Sequence, residues 1–121
     1  MQNTVILNQN KAFVSLYQHG KAIVSPYVVI YVRKNRRTYN RFGVTAGKKV
    51  GNAVARNRAK RIIRQAYREN VDKLPVGMDL VIVARAAIGG ISSTQLSSYL
   101  GSAGRKRIEA ALQAGEKKWN R

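Results

Sequence analysis

Between Arg56 and Arg68 the chain carries five arginines and one lysine, and no acid appears before Glu69. Guanidinium groups present a planar fork that pairs bidentately with phosphate oxygens, whereas an ammonium acts as a point charge. A run of mostly arginines therefore points to phosphate recognition on a polyanion. Lys48 and Lys49 precede the run, beside the expected start of a helix whose free amides and dipole add an anion site. An ordinary solvated helix face mixes the two signs at spacings of three and four residues. Here Arg56, Arg58, Lys60, Arg61, Arg64 and Arg68 have only each other, with Asn57 among them, so a polyanion must neutralise them.

Aromatic residues form the second set. Phe13 and Tyr17 are spaced four apart and share a helix face, and Tyr31 lies on one face of a strand whose other face is aliphatic. Rings interleaved with cations suit single-stranded nucleic acid, because bases stack on the rings while Lys and Arg hold phosphates. Phe13 and Tyr17 also suit a plainer role, pinning their helix to the sheet. The two roles coexist when a helix borders a cleft.

Other chemistries lack their residues. His19 is the only histidine and there is no cysteine, so neither a Ser-His-Asp arrangement nor a thiolate metal site can be assembled. A capping or surface role suits His19. Two-metal hydrolysis needs convergent carboxylates, and the five acids are spread from Glu69 to Glu116. The stretch 43–49, GVTAGKK, departs from a phosphate-binding loop: three residues separate its glycines instead of four, and no Ser or Thr follows Lys49. No catalytic residue and no metal ligand is expected in this chain.

The elements that must position these groups are legible in outline. A helix is expected over residues 9–19, with Asn8 as cap and Gly20 as a left-handed stop. A strand follows over 27–34, with Val28, Ile30 and Val32 on one face and Tyr27, Val29, Tyr31 and Arg33 on the other. A second strand is expected over 41–47 and a long helix over 52–70. On that helix Ala55, Ala59, Ile62, Ile63 and Ala66 form a packing stripe, with Tyr67 at its border, opposite the basic ridge. Residues 78–86 read as a buried strand, and a final helix is expected over 94–114, weakened by Gly101 and Gly104. The fold class is α+β: one domain spanning 1–121, with helices packed on a small central sheet, a core over about 8–114, and frayed ends at 1–7 and 115–121.

With 121 residues and 45% hydrophobic content, the chain can bury one core. Its net charge of +18 is unevenly spread: residues 1–68 hold fifteen Lys and Arg and no acid. Such a one-sided field favours a nucleic-acid partner, with an anionic membrane surface the weaker candidate. No apolar run reaches the roughly 18 residues of a membrane span, and the first ten residues do not form a secretory signal. The absence of cysteine fits a reducing compartment.

The string Gly47-Lys48-Lys49-Val50-Gly51-Asn52-Ala53-Val54-Ala55-Arg56-Asn57-Arg58-Ala59-Lys60-Arg61-Ile62-Ile63-Arg64-Gln65-Ala66-Tyr67 resembles the protein subunit of bacterial ribonuclease P. Residues 13–20, 29–31 and 80–85 resemble that family's first helix and strands, so the likeness covers nearly everything from residue 8 to about 112. It implies an α-β-β-β-α-β-α sandwich with an extra short strand at Ala22–Ser25 and a left-handed β-α-β crossover. It further implies a noncatalytic subunit of a ribonucleoprotein in which RNA cleaves precursor tRNA, an endoribonuclease only as a holoenzyme. The Mg2+ would be held mainly by RNA, and the protein alone would bind no cofactor. By the same resemblance, Lys48, Arg56, Asn57, Arg58, Lys60, Arg61, Arg64 and Arg68 would contact the RNA subunit. Phe13, Tyr17, Tyr31, Lys49 and Arg85 would line a cleft for the 5′ leader of precursor tRNA. The partners implied are the ribonuclease P RNA and precursor tRNA, in the cytoplasm, with no membrane and no further protein required. One departure stands out: many members begin with a basic segment carrying an Arg-Leu pair, whereas residues 1–10 here are uncharged. The runner-up reading, from charge and size alone, is a ribosomal protein or general RNA-binding module.

Overall fold

A computed structural model describes residues 3–119 of the chain, with side chains through residue 114. The strands are β1 (Thr4–Ile6), β2 (Lys21–Val24), β3 (Val28–Lys34), β4 (Asn40–Ala46) and β5 (Met78–Ala84). The helices are α1 (Asn10–His19), α2 (Ala53–Asn70), α3 (Ser93–Gly101) and α4 (Ala103–Trp119), with short 3-10 turns at Lys48–Val50 and Ala86–Gly90. One mixed sheet runs in the order β1-β4-β5-β3-β2. β4 is parallel to both β1 and β5, and β3 is antiparallel to both β5 and β2.

Alternation sorts the sheet into two faces. Val28, Ile30 and Val32 of β3, with Leu80 and Ile82 of β5 and Phe42 of β4, are buried in the main core beneath α2, α3 and α4. Ile62, Ile63, Ala66 and Tyr67 supply the α2 side of that core, and Tyr67 stacks on Phe42 with ring centroids 3.9 Å apart. Among the described residues the opposite face is covered by α1 and the segment before it: Leu16 and Leu7 pack on Val81 with Phe13, Tyr31 and Val83 around them. Aromatic stacking geometry and side-chain burial thus fix α2 on one side of the sheet and α1 on the other.

Two buried asparagines are satisfied across the joints. Asn40 accepts from the backbone amides of Gly77 and Met78 and donates to the Pro75 carbonyl, tying β4 to the entry of β5. Asn70 donates to Ala66 O and to Ser97, locking α2 on α3.

Four expectations are corrected. Residues 4–6 are not a frayed end: they pair with β4, and Leu7 N donates to Phe42 O at 2.7 Å. Three residues are too short for a periodic signal, and their partner lies some 36 positions away. The final helix is two helices, broken at Ser102 where φ is −128° and ψ −99°. A Cβ on Gly101 would lie 2.5 Å from Asn70 Oδ1, so the chain passes too close to α2 for any larger residue. Helix α1 is preceded by Gln9, not Asn8, and Gly20 is extended at φ −83°, not left-handed, because the chain runs directly into β2. The expected extra strand at Ala22–Ser25 is present one residue earlier. The backbone of α4 continues to Trp119, and residues 1, 2, 120 and 121 lie outside the described residues.

Candidate nucleic-acid interface

Asn52 caps α2, its side chain accepting from Ala55 N at 2.9 Å, and the helix then runs for 18 residues. Asn57, Arg58, Arg61, Arg64 and Arg68 are exposed along it, while Arg56 and Lys60 are half-buried. The half-burial follows from spacing. Arg56 lies seven positions before Ile63 and eleven before Tyr67, about two and three turns, so it shares their side of the helix. Tyr67 is fully buried, so the apolar stripe and the basic ridge overlap on this flank. Arg56 Nε is shielded from solvent with no hydrogen-bond partner among the described residues. Among those residues the only hydrogen bond from a ridge cation is Arg68 to Gln65 Oε1, and none is ion-paired. Lys48 and Lys49 are exposed on the turn just before the Asn52 cap.

On the other face of the sheet, Tyr17 of α1 meets Tyr31 of β3 edge to face, with centroids 4.8 Å apart. Tyr17 is 38% exposed and Tyr31 is half-buried, so the pair forms an open aromatic wall. Phe13 sits deeper, over Gly43 of β4; a Cβ there would lie 2.5 Å from its Cε1. Phe13 therefore anchors α1 while Tyr17 and Tyr31 present rings to solvent.

Lys49 and Arg85 lie at one end of this sheet, beyond the last residues of β4 and β5. Tyr31 pairs with Val81, and Arg85 is four positions further along, about 13 Å from the tyrosine pair. Arg85 N donates to Tyr27 O and its Nη1 to Ser25 O at 2.8 Å, fixing it against the β2–β3 turn. The aromatic wall and these cations thus mark two ends of one track rather than one cluster.

Beyond the aromatic wall, at the end of the sheet opposite Arg85, stands the only acid in its strands. Asp79 is buried, and Arg41 Nε and Nη2 hold its two carboxylate oxygens at 2.7 and 2.5 Å. Asn35 donates to Oδ1 at 3.0 Å, and Arg33 approaches Oδ2 at 3.7 Å. Burial alone would push this carboxyl up, but the hydrogen bonds from Arg41 and Asn35 and the two guanidinium charges outweigh it and hold the pKa below the ordinary value. The same contacts raise that of Arg41. Arg33 Nη1 also reaches Ser15 Oγ on α1 at 3.4 Å, so the ion cluster ties α1 to the sheet. Gly43, Asp79, Arg41 and Arg33 were not among the expected site residues. The usable signal was Asp79 itself, a charge inside an apolar strand, which must find partners.

A basic ridge and an aromatic cleft on opposite sides of one mixed sheet define an RNA-binding protein of the α+β class. The model of the family described as Ribonuclease P matches residues 1–107, and the chain belongs to the ribonuclease P protein family. The ribonuclease P protein component of Alkaliphilus metalliredigens is 40% identical over 112 residues, covering 93% of this chain and 90% of its own. That of Clostridioides difficile is 44% identical over 82 residues, covering 67% and 72%. The solved Thermotoga maritima ribonuclease P protein superposes with a TM-score of 0.75 at 29% identity, covering 86% of this chain and 97% of its own. The family function is therefore this chain's: it is an RNA-binding subunit of an endoribonuclease that matures tRNA, and its partner is the ribonuclease P RNA. Among the described residues no helix is long and apolar enough to cross a membrane, and no three acidic or histidine side chains are grouped to hold a metal.

Proposed function

We propose that the α2 ridge, with Lys48, binds the ribonuclease P RNA, while the cleft walled by Tyr17 and Tyr31 holds the 5′ leader of precursor tRNA. The observation that carries this is the separation of the two surfaces by the sheet, which lets one chain engage two RNAs at once. Phe13 supports the wall, and Lys49 and Arg85 hold leader phosphates at its end. The assembly works in the cytoplasm and needs no other protein. Cleavage belongs to the RNA, which also holds the Mg2+. In support, Asp79, the acid in the sheet, has both oxygens engaged and offers none to a metal.

The test replaces Tyr31 by Ala in the reconstituted holoenzyme. A stacked base contributes roughly 1–3 kcal/mol, so leader-bearing substrate should bind about 5- to 150-fold more weakly while mature tRNA is unaffected. Equal losses for both would overturn the cleft assignment.

A further inference from the structure

The β2–β3 turn separates the leader cleft from a second concavity that neither the ridge nor the cleft uses. Pro26 and Tyr27 of the turn face Gln95, Leu96 and Tyr99 of α3 across a cavity of about 160 Å³. That is below the roughly 300–1,000 Å³ of ordinary small-molecule sites, so it suits one flat ring and little more. Tyr27 is 37% exposed at its rim. Tyr99, part of the lining, has a hydroxyl that is shielded from solvent and lacks a hydrogen-bond partner among the described residues. That hydroxyl is out of a ligand's reach, so Tyr99 contributes its ring to the lining. Gln95 Oε1 is engaged by the Ser92 cap, which leaves its Nε2 to donate.

Two arginines flank the same turn. Arg85 Nη1 donates to Ser25 O and Arg107 Nη1 to Val24 O, both exposed, so each is held by one nitrogen and keeps others able to donate. An aromatic cavity one base wide, bordered by two fixed guanidinium groups, is complementary to one unpaired nucleotide: base inside, phosphate outside. We propose that this cavity is a second base-binding subsite, taking a nucleotide of the same 5′ leader upstream of the one stacked at Tyr31. The assignment rests on the cleft reading above. Continuity argues for the leader as occupant, since Tyr27 immediately precedes β3, four residues and about 13 Å from Tyr31. At a stacked spacing of about 3.4 Å that distance is roughly four nucleotides.

The experiment measures holoenzyme affinity for precursor tRNAs whose leaders lengthen one nucleotide at a time, with Tyr27→Ala and Tyr31→Ala variants. A photoreactive uridine is walked along the leader in parallel. Tyr27→Ala should weaken long-leader substrates roughly tenfold and leave those shorter by about four nucleotides unchanged. A loss equal at every leader length, or no loss at any, would overturn the subsite. Crosslinks from the turn to the ribonuclease P RNA instead of the leader would overturn its assigned occupant. If Tyr31→Ala weakens leader binding while Tyr27→Ala does not, the subsite alone fails; if Tyr31→Ala is also silent, the cleft reading fails with it.

Discussion

Gly43→Ala probes the link between the packing of α1 and the cleft it borders. An added Cβ would lie 2.5 Å from Phe13 Cε1 and 2.7 Å from the Leu7 carbonyl, against an ordinary contact of 3.4 Å or more. Clearance therefore needs shifts of about 0.9 and 0.7 Å. The Phe13 ring can swing, but the carbonyl belongs to a backbone whose neighbouring amide is bonded to Phe42 O, so it moves only if residues 4–8 lift. Overpacking of this kind costs about 1–3 kcal/mol. At this chain length each kcal/mol lowers Tm by roughly 3–6 °C. Tyr17 lies one turn beyond Phe13 on the same helix, so the displacement also opens the 4.8 Å contact with Tyr31. Losing a fraction of a stacking interaction should weaken leader-bearing substrates about two- to fivefold. Affinity for the ribonuclease P RNA should not change, because α2 packs on the opposite face. Thermal unfolding of the free protein and binding of precursor against mature tRNA by the holoenzyme test both halves. An unchanged Tm with unchanged leader discrimination would refute the packing argument, and an equal loss of RNA-subunit affinity would refute the independence of the two faces.

Two further outcomes are expected. Replacing Arg61 and Arg64 with Ala should flatten the log–log salt dependence of RNA-subunit binding by about 0.7–0.9 for each phosphate no longer neutralised, read from titrations at several salt concentrations; an unchanged slope would count against the ridge. Asp79→Asn should cost about 2–4 kcal/mol in urea unfolding at pH 7, since it leaves Arg41 facing an uncharged amide. Because the folded pKa of Asp79 is depressed, its contribution is present above the unfolded value near 3.9 and fades as pH falls through the folded one. The gap between the two proteins should therefore narrow below about pH 4, and a gap of constant size would show that the carboxylate charge is not the cause.

How much was legible depends on the range of the interaction. Helix α2 was readable because its cap, stripe and ridge all lie within nineteen consecutive residues, Asn52 to Asn70. The aromatic wall was half readable: the spacing of Phe13 and Tyr17 gave their shared face, but only the structure seats Phe13 on Gly43 and leaves Tyr17 to meet Tyr31. Gly43 looked like part of a failed phosphate loop, since nothing local shows that a ring thirty residues earlier needs its missing side chain. β1 was invisible for the same reason, being a short segment made a strand by β4. The break at Ser102 was signalled by its flanking glycines, yet the contact that demands Gly101 comes from Asn70 on another helix.

The placement of acids explains why the cleft can remain cationic although the sheet contains a carboxylate. Asp79 faces the α1 side, level with Arg33 and Arg41 on the neighbouring strands, and its charge is outnumbered there. Had it lain at the opposite end, near Lys49 and Arg85, it would have repelled the phosphates those residues are suited to hold. Glu69 and Asp72 sit at the far end of α2 and Glu109 on α4, all exposed and away from the aromatic wall. The acid the sheet does contain is spent on fixing α1 through Arg33 and Ser15. The helix that borders the cleft is thus fastened by the same ion cluster that keeps negative charge out of the path of the RNA.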